Sequence, residues 1–584
     1  MRYIFKLQRR EMKILVNIVL ALSAFLLILP GCTTSQQLHP VKGEFIEGQL
    51  GEDAQTLNWI IATDEISKRY ASFMVDPLAV FDNNFNLQLR CLAKDIEVSA
   101  DGLVYTVTIR DDLRWTDGST VTADDYVYTL TNIMFADWLE CTDSSKWQEN
   151  VNDMQVFVKP EVVNTTTFKI VRQTVAPEFI YTIYALMPYP KLIAQHYENR
   201  KDSFIQSPEF DNMTYTGNLG AYKPVAWSVI DGFVVKRNPD YYLGKNSGAP
   251  YFETYVIKLY GLQQMINDGL RDGKINYAFV EPQDANMFRG MKDINVYTIP
   301  TGFCVYLAYN QRDNGWEGLK NPIVRQALSM IMDKPEIISN MYSGYADPAF
   351  SFIPPYSPAY SENVLNKFGL NPSQDQQKAI DMIKGAGYEQ KEIDGQMRFV
   401  DKEGKPIKLN FIVDIRSDFE QNLAIMIRQN LLRIGLDINP KFSTREILFM
   451  DGLMNKVPGS EQNPAFNNGP GAVSKEPWDL VILSSHTNAL ALEGSEAFFT
   501  SKGKFNLFGF FNDKVDALYQ RVKSAEAVNP ENRKQIYAEI SKVISDEQPV
   551  NFLVFYKDNY AFRGVKGVEP GVNVLSNFQS WYFE

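Results

Sequence analysis

The stretch Leu92-Ala93-Lys94-Asp95-Ile96-Glu97-Val98-Ser99-Ala100-Asp101-Gly102-Leu103-Val104-Tyr105-Thr106-Val107-Thr108-Ile109-Arg110 carries the sharpest structural signal in this chain of 584 residues. From Leu103 to Ile109 β-branched and aromatic residues alternate with polar ones, the period of a half-buried strand. A few residues on, Leu113-Arg114-Trp115-Thr116-Asp117-Gly118 ends in a turn dipeptide. Thr122-Ala123-Asp124-Asp125-Tyr126 then opens a helical pattern reaching Met134, with Thr or Asp placed to cap its free amide groups.

The same alternation of strand and helix continues in both directions. Strands are expected at Phe233–Lys236, Tyr255–Leu259 and Lys408–Val413, and helices at Leu262–Asp272, Phe419–Leu432, Asp513–Ala525 and Pro530–Asp546. One long helix is expected between Pro322 and Tyr342, with Val324, Leu328, Ile331 and Ile338 on one face. The segment Met454–Glu476, rich in Gly, Pro, Asn and Ser, reads as a surface loop. The length exceeds a single core and predicts an α/β protein of several lobes.

The amino terminus sets the compartment. Residues 1–13 are basic, Ile14–Leu29 is apolar apart from Asn17 and Ser23, and Leu29-Pro30-Gly31-Cys32 follows. That order reads as a secretory signal rather than a membrane span. Cys32 in that position resembles the lipidated first residue of mature bacterial lipoproteins, although Pro30 departs from their pattern. Residues 32–45 would be a tether. The body would lie outside the cytoplasm (periplasm or cell surface), held to a membrane by lipid on Cys32. Cys91, Cys141 and Cys304 remain, an odd number, with Cys91–Cys141 as the candidate disulfide.

Net charge is −12, and residues 1–31 contribute +4 of it, which leaves −16 on the rest. A surface that acidic is not drawn to nucleic acid. Histidines number three, at 39, 196 and 486, too few and too scattered for a zinc site. No H-E-x-x-H, G-x-S-x-G or phosphate-loop motif occurs. No catalytic residue, cofactor or metal is therefore expected. Aromatic residues reach 13%, which suits either large cores or a flat-walled cleft.

Taken together, residues 92–126 closely resemble the signature of the family-5 extracellular solute-binding proteins, the oligopeptide, dipeptide and nickel binders of ABC importers. Further likenesses fall in the same order: Gly217–Tyr222, Lys236–Tyr242, Val324-Arg325-Gln326-Ala327-Leu328, Leu431–Leu436, Val515–Leu518 and Arg533–Tyr537. The resemblance runs from about residue 50 to the end. It implies a two-lobed periplasmic-binding-protein fold of type II-like form, with an extra subdomain, a hinge and an interlobe ligand cleft. The implied division is lobe I from 46–88, 206–310 and 500–584, the subdomain from 89–205 and lobe II from 311–499.

The implied function is capture of a peptide or similar solute by a monomer, for delivery to an ABC permease and ATPase complex. A peptide sensor or adhesion lipoprotein of the same fold is the alternative, with an extracellular hydrolase further off. Nickel is disfavoured, because only His196 and His486 lie in the lobes. Peptide binders of the family hold the ligand's amino group with an Asp shortly after a Trp. Here the matching stretch, Ser485-His486-Thr487-Asn488, puts Ser485 and Asn488 at those positions, and Glu493 stands nearby as a substitute acid. Trp59, Thr63 and Asp64 match a segment that often faces the cleft, with Trp59 forming a wall or part of the core. Phe303 lies near the expected lobe crossing.

Overall fold

The computed structural model describes residues 39–228, 230, 232–453, 476–573 and 575–584. The signal segment, Cys32 and all of the expected Met454–Glu476 loop but Glu476 lie outside them. Among the described residues eleven strands form the main sheet. Numbered along the chain, they are β1 (Glu44–Leu50), β2 (Tyr222–Ser228), β3 (Gly232–Arg237), β4 (Thr254–Tyr260), β5 (Tyr277–Val280), β6 (Ile294–Tyr309), β7 (Ala346–Pro348), β8 (Lys408–Asp414), β9 (Asp437–Ser443), β10 (Leu480–His486) and β11 (Val550–Arg563). Their spatial order is β2-β3-β4-β1-β5-β11-β6-β10-β8-β9, with β7 also on β11.

β6 and β11, of 16 and 14 residues, run antiparallel and belong to both halves of the sheet. Ile294–Pro300 pairs with the end of β11 in the first half, and Cys304–Ala308 pairs with its beginning in the second. In the second half, Val305, Leu307 and Tyr309 enter one core while Cys304, Tyr306 and Ala308 enter the core on the opposite face. Both faces are covered, so the strand reads as a continuous apolar run.

In the first half, helix α1 (Glu65–Ala71) packs under Phe233 through Tyr70. The signature strand Val104–Ile109 lies in a separate four-stranded sheet between Ala93–Val98 and Thr167–Val171, with Tyr105, Val107 and Ile109 buried. Gly102 and Gly118 both have positive φ, as their turns require. Thr122 and Asp125 form a reciprocal capping box at α2 (Ala123–Tyr128), which continues as a π-helix to Met134. Helix α3 (Phe179–Tyr184) closes this unit. Its core is continuous with that of β1 and β4: Phe45, Tyr105, Phe168 and Phe204 share one cluster. On the other face, α4 (Gln263–Asp272) buries Ile266 and Leu270.

Four sequence expectations change. The helix expected over Pro322–Tyr342 is two, α5 (Pro322–Met330) and α6 (Lys334–Tyr342). Asp333 caps α6 by accepting from the Glu336 amide, and Pro335 has no N–H to continue α5. The Cys91–Cys141 disulfide does not form; both thiols are free and buried, and Cys141 Sγ donates to the Ile60 carbonyl at 3.2 Å.

The expected tether stops short of residue 45. His39 already stacks on Tyr582, with ring centroids 3.5 Å apart, and β1 begins at Glu44. Finally, after α7 (Asp418–Arg433), helices α8 (Asp513–Val522) and α9 (Pro530–Glu547) pack with Trp478, Phe499 and Phe552. Residues 513–547, expected in the first lobe, thus sit on the second half of the sheet.

Candidate functional site

The site grows from an irregularity in the β6–β11 ladder. Pro300 pairs with Lys557 and Cys304 with Phe555, so Thr301-Gly302-Phe303 faces the single residue Tyr556. This bulge lies where the chain passes between the halves, and it re-aims the side chains around it. Thr301 Oγ1 donates to the Tyr556 carbonyl at 2.6 Å, and the Gly302 carbonyl accepts from the Thr487 amide at 2.8 Å. A Cβ on Gly302 would lie 2.3 Å from the Thr487 carbonyl oxygen, so only glycine permits this approach.

Aromatic rings spread from the bulge. Phe303, 41% exposed, stacks on Tyr556 at 5.5 Å and meets His486 edge-on at 4.8 Å. Tyr556 stacks on Tyr342 at 6.2 Å, and Tyr342 meets Phe419 at 5.7 Å. A cavity of about 330 Å³ opens beside them, lined also by Ser417, Glu420 and Ser484.

A larger cavity, about 520 Å³, joins the two halves directly. The first half supplies the hairpin Val80–Phe81 and Leu87–Gln88, with Asp82 and Phe85 between its strands; the second supplies Tyr356 and the loop His486–Leu490. Phe85 stacks on Tyr356 at 6.0 Å with the rings 8° from parallel. Asp82 is the one carboxylate among the described residues of this lining. It accepts from the Asn84 and Asn86 amides and from the Asn86 and Gln88 side chains, which hold its pKa below the usual range. His486 stands exposed at the end of β10, and the partial desolvation of its ring lowers its pKa from the ordinary value while the field of Glu65 on α1 opposes that shift.

Residues 90–498 match the bacterial extracellular solute-binding proteins, family 5. The chain belongs to that family. Among similar proteins, the oligopeptide-binding protein AppA of Bacillus subtilis is 23% identical over 571 residues, covering 95% of this chain and 94% of AppA. The ABC transporter substrate-binding protein CtaP of Listeria monocytogenes superposes with a TM-score of 0.73 at 24% identity, over 93% of this chain and 99% of CtaP. The structure of Bacillus subtilis AppA in complex with a nonapeptide gives 0.63 at 21% identity, over 93% and 99% of the two chains. These likenesses show the fold.

In this solute-binding protein the expected site residues divide. Phe303, His486, Thr487 and Asn488 gather at the bulge and the larger cavity. Ser485 pairs with Cys304 in the ladder and bonds the Tyr306 hydroxyl. Asn488 does not stand free as the expected acceptor: its Oδ1 takes the Leu490 and Ala491 amides and closes the loop.

Trp59 is core, 7% exposed against Tyr189 and Tyr215. Asp64 caps α1 through the Ser67 amide, and Thr63 stands exposed before it. Glu493 is not part of the cavity; its amide donates to Glu178 at 2.8 Å in a seam between the halves. Tyr556, Tyr342, Phe85, Tyr356 and Asp82 were not anticipated, because nothing local marks a residue opposite a bulge or at a hairpin tip. Among the described residues no group of three or more His, Cys, Asp or Glu could hold a metal ion.

Proposed function

We propose that this chain is the lipid-anchored, extracytoplasmic receptor of an ABC importer, closing two lobes around a peptide and passing it to the permease. The reading divides the chain near the bulge. Lobe I ends at about Pro300 and resumes at Lys557, and lobe II lies between. The observation that carries it is the cavity built from both halves, walled by Phe85, Tyr356 and His486 beside the bulged crossing strand. A ligand touching both walls stabilises the closed arrangement by its differential contacts and needs no chemistry. Aromatic walls are tolerant of side-chain sequence, which suits peptides. The family and the full-length relative named for oligopeptides support the same ligand class.

Thermal unfolding of the purified protein with di- to octapeptides tests this. A peptide at a hundredfold excess over its dissociation constant is expected to add about 2.7 kcal/mol and to be recovered uncut. Cleavage would make the protein a hydrolase, and a series of peptides without any shift would overturn the ligand class. Binding without dependence of uptake on the neighbouring permease would leave a sensor or adhesion protein.

Asp82 supplies the negative charge that Asn488 lacks. Asp82→Asn is therefore expected to weaken peptides with a free amino group about tenfold or more, the cost of removing one charge-assisted hydrogen bond, and to spare N-acetylated ones; equal losses for both would refute the role. Cys32→Ser is expected to move the protein from the membrane fraction to the soluble one.

A further inference from the structure

Arg533 and Tyr537, the two ends of a stretch singled out in the sequence, line neither cavity of the cleft. Four residues apart on α9, they share one face, and that face meets the other half of the molecule. Arg533 donates to the Pro177 carbonyl at 3.3 Å and to the Tyr181 hydroxyl at 3.2 Å. The Tyr537 hydroxyl donates to Glu178 Oε1 at 2.8 Å, and the Glu493 amide donates to Glu178 Oε2 at 2.8 Å. Pro177, Glu178 and Tyr181 precede the crossing at the bulge, whereas Glu493, Arg533 and Tyr537 follow it. Nearby, Val528 closes on the signature turn: a Cβ on Gly102 would lie 2.9 Å from its Cγ2. The seam also backs on the cleft. Tyr181 and Tyr184 of α3 pack on Phe81 at 5.9 and 5.4 Å, and Phe81 lines the larger cavity.

Two carboxyl groups meet in this seam. Glu178 is buried, and Glu493 Oε1 is buried without a partner among the described residues. Two bare carboxylates there repel one another in a medium that screens them weakly. Arg533, the cation that faces Glu178, directs its N–H groups to Pro177, to Tyr181 and to the Ala527 carbonyl of its own half. Tyr181, Tyr519 and Tyr537 are the titratable hydroxyls around Glu178. Arg172, Lys523 and Glu496 act on Glu493. A proton on Glu178 removes the repulsion, and burial together with Glu493 favours that proton.

We propose that this seam is a proton-operated clasp, holding the two halves together while Glu178 carries a proton and releasing them once that proton leaves. The inference rests on the two-lobe division proposed above and not on the identity of the ligand. Parting the seam returns Glu178 to water and to ordinary carboxyl behaviour, so closing takes up a proton and opening gives it back. Closure is therefore favoured fully at the acid end of the window from about 4.5 to 7, and that advantage is lost as the pH rises through 7.

The test reads the separation of the halves without any ligand. Nitroxide labels go on Asp101→Cys and Lys542→Cys, exposed positions on the two sides, in the Cys32→Ser protein, whose other cysteines are buried. Pulsed electron spin resonance is expected to show the long-distance fraction rising at least about threefold between pH 5 and pH 8. Glu178→Gln, which keeps both acceptors without the charge, is expected to hold the short distance throughout. Tyr537→Phe removes a donor to the charged form of Glu178 and is expected to move the transition to higher pH. A wild-type distance that ignores pH, or an equal response in Glu178→Gln, overturns the clasp. Arg533→Glu separates that failure from failure of the lobe division: it adds a third carboxylate and is expected to lengthen the distance at either pH. If it opens the seam while the wild type ignores pH, the proton has no part in it; if the distance never changes, the two halves do not part here.

Discussion

Arg325→Met is expected to lower the stability of the protein by about 3–5 kcal/mol, the range found when one partner of a buried charged network is removed. The guanidinium is 2% exposed, and burial pulls it down only to about 10, so it stays charged at neutral pH. Nε donates to the Glu547 and Gln548 carbonyls at 2.9 and 3.1 Å, and Nη1 donates to the Leu319 carbonyl at 2.7 Å. Nη2 reaches the Glu547 carboxylate at 3.2 Å. The Glu547 and Gln548 carbonyls at the end of α9, where the helix dipole is negative, thus draw on one side chain from α5, while Gln326 and Asn366 serve the Asp546 and Ser545 carbonyls. Methionine fills the space and leaves those acceptors dry and unpaired. Urea unfolding measures the difference, and a loss below about 1 kcal/mol would show that another donor takes over. As a control, Lys402→Met removes a pair with Glu317 that is almost wholly in solvent, and should change stability by no more than about 0.5 kcal/mol.

The second large effect is in pH. Glu178, 4% exposed beside α3, accepts from the Tyr537 hydroxyl at 2.8 Å and from the Glu493 amide at 2.8 Å. Arg533 of α9 faces it, donating to the Pro177 carbonyl and the Tyr181 hydroxyl. Arg172, Lys523 and Glu496 lie around Glu493, whose Oε1 is buried without a partner among the described residues. Burial, then the neighbouring Glu493, push Glu178 up to about 7 from an ordinary 4.5.

The folded protein therefore holds a proton that the unfolded chain has released between about pH 4.5 and 7. Its stabilising effect is complete at the acid end of that window and is lost as the pH rises through 7. At about 1.4 kcal/mol per pH unit across this window the loss is on the order of 3 kcal/mol. Asp76, raised to about 6 by burial, titrates in the same direction, and Lys334, lowered to about 7 by burial, in the opposite one. The contribution of Glu178 is thus the difference between wild type and Glu178→Gln, measured from pH 4.5 to 8. Parallel curves for the two proteins would refute the assignment.

The parts legible in the sequence are those governed by local rules. The turn at Gly118 and the Thr122–Asp125 cap are each fixed within four residues, and the structure forms them as read. The break between α5 and α6 was also written locally, in Asp333 and Pro335, but the apolar spacing across it suggested one helix. Trp59 could not be assigned without its partners, Tyr189 and Tyr215, which lie 130 and more residues away. Glu493 is near Asn488 in sequence, yet its neighbour in space is Glu178. The bulge opposite Tyr556 depends on the register of two distant strands, which no local pattern states.

Strand β1 and the segment Trp581–Phe583 meet in one core. Phe45 of β1 packs on Trp581 and Phe583, and the first half of the sheet is completed only when the end of β11 is inserted between β5 and β6. A growing polypeptide that has released its first 300 residues therefore holds a lobe with an open seam and no final strand. Its contacts are of very high sequence separation, the condition for slow late folding. The earliest strand, β1, is flanked by β4 and β5 well before the tail is made, and what waits for the tail is the seam between β5 and β6 that the end of β11 closes.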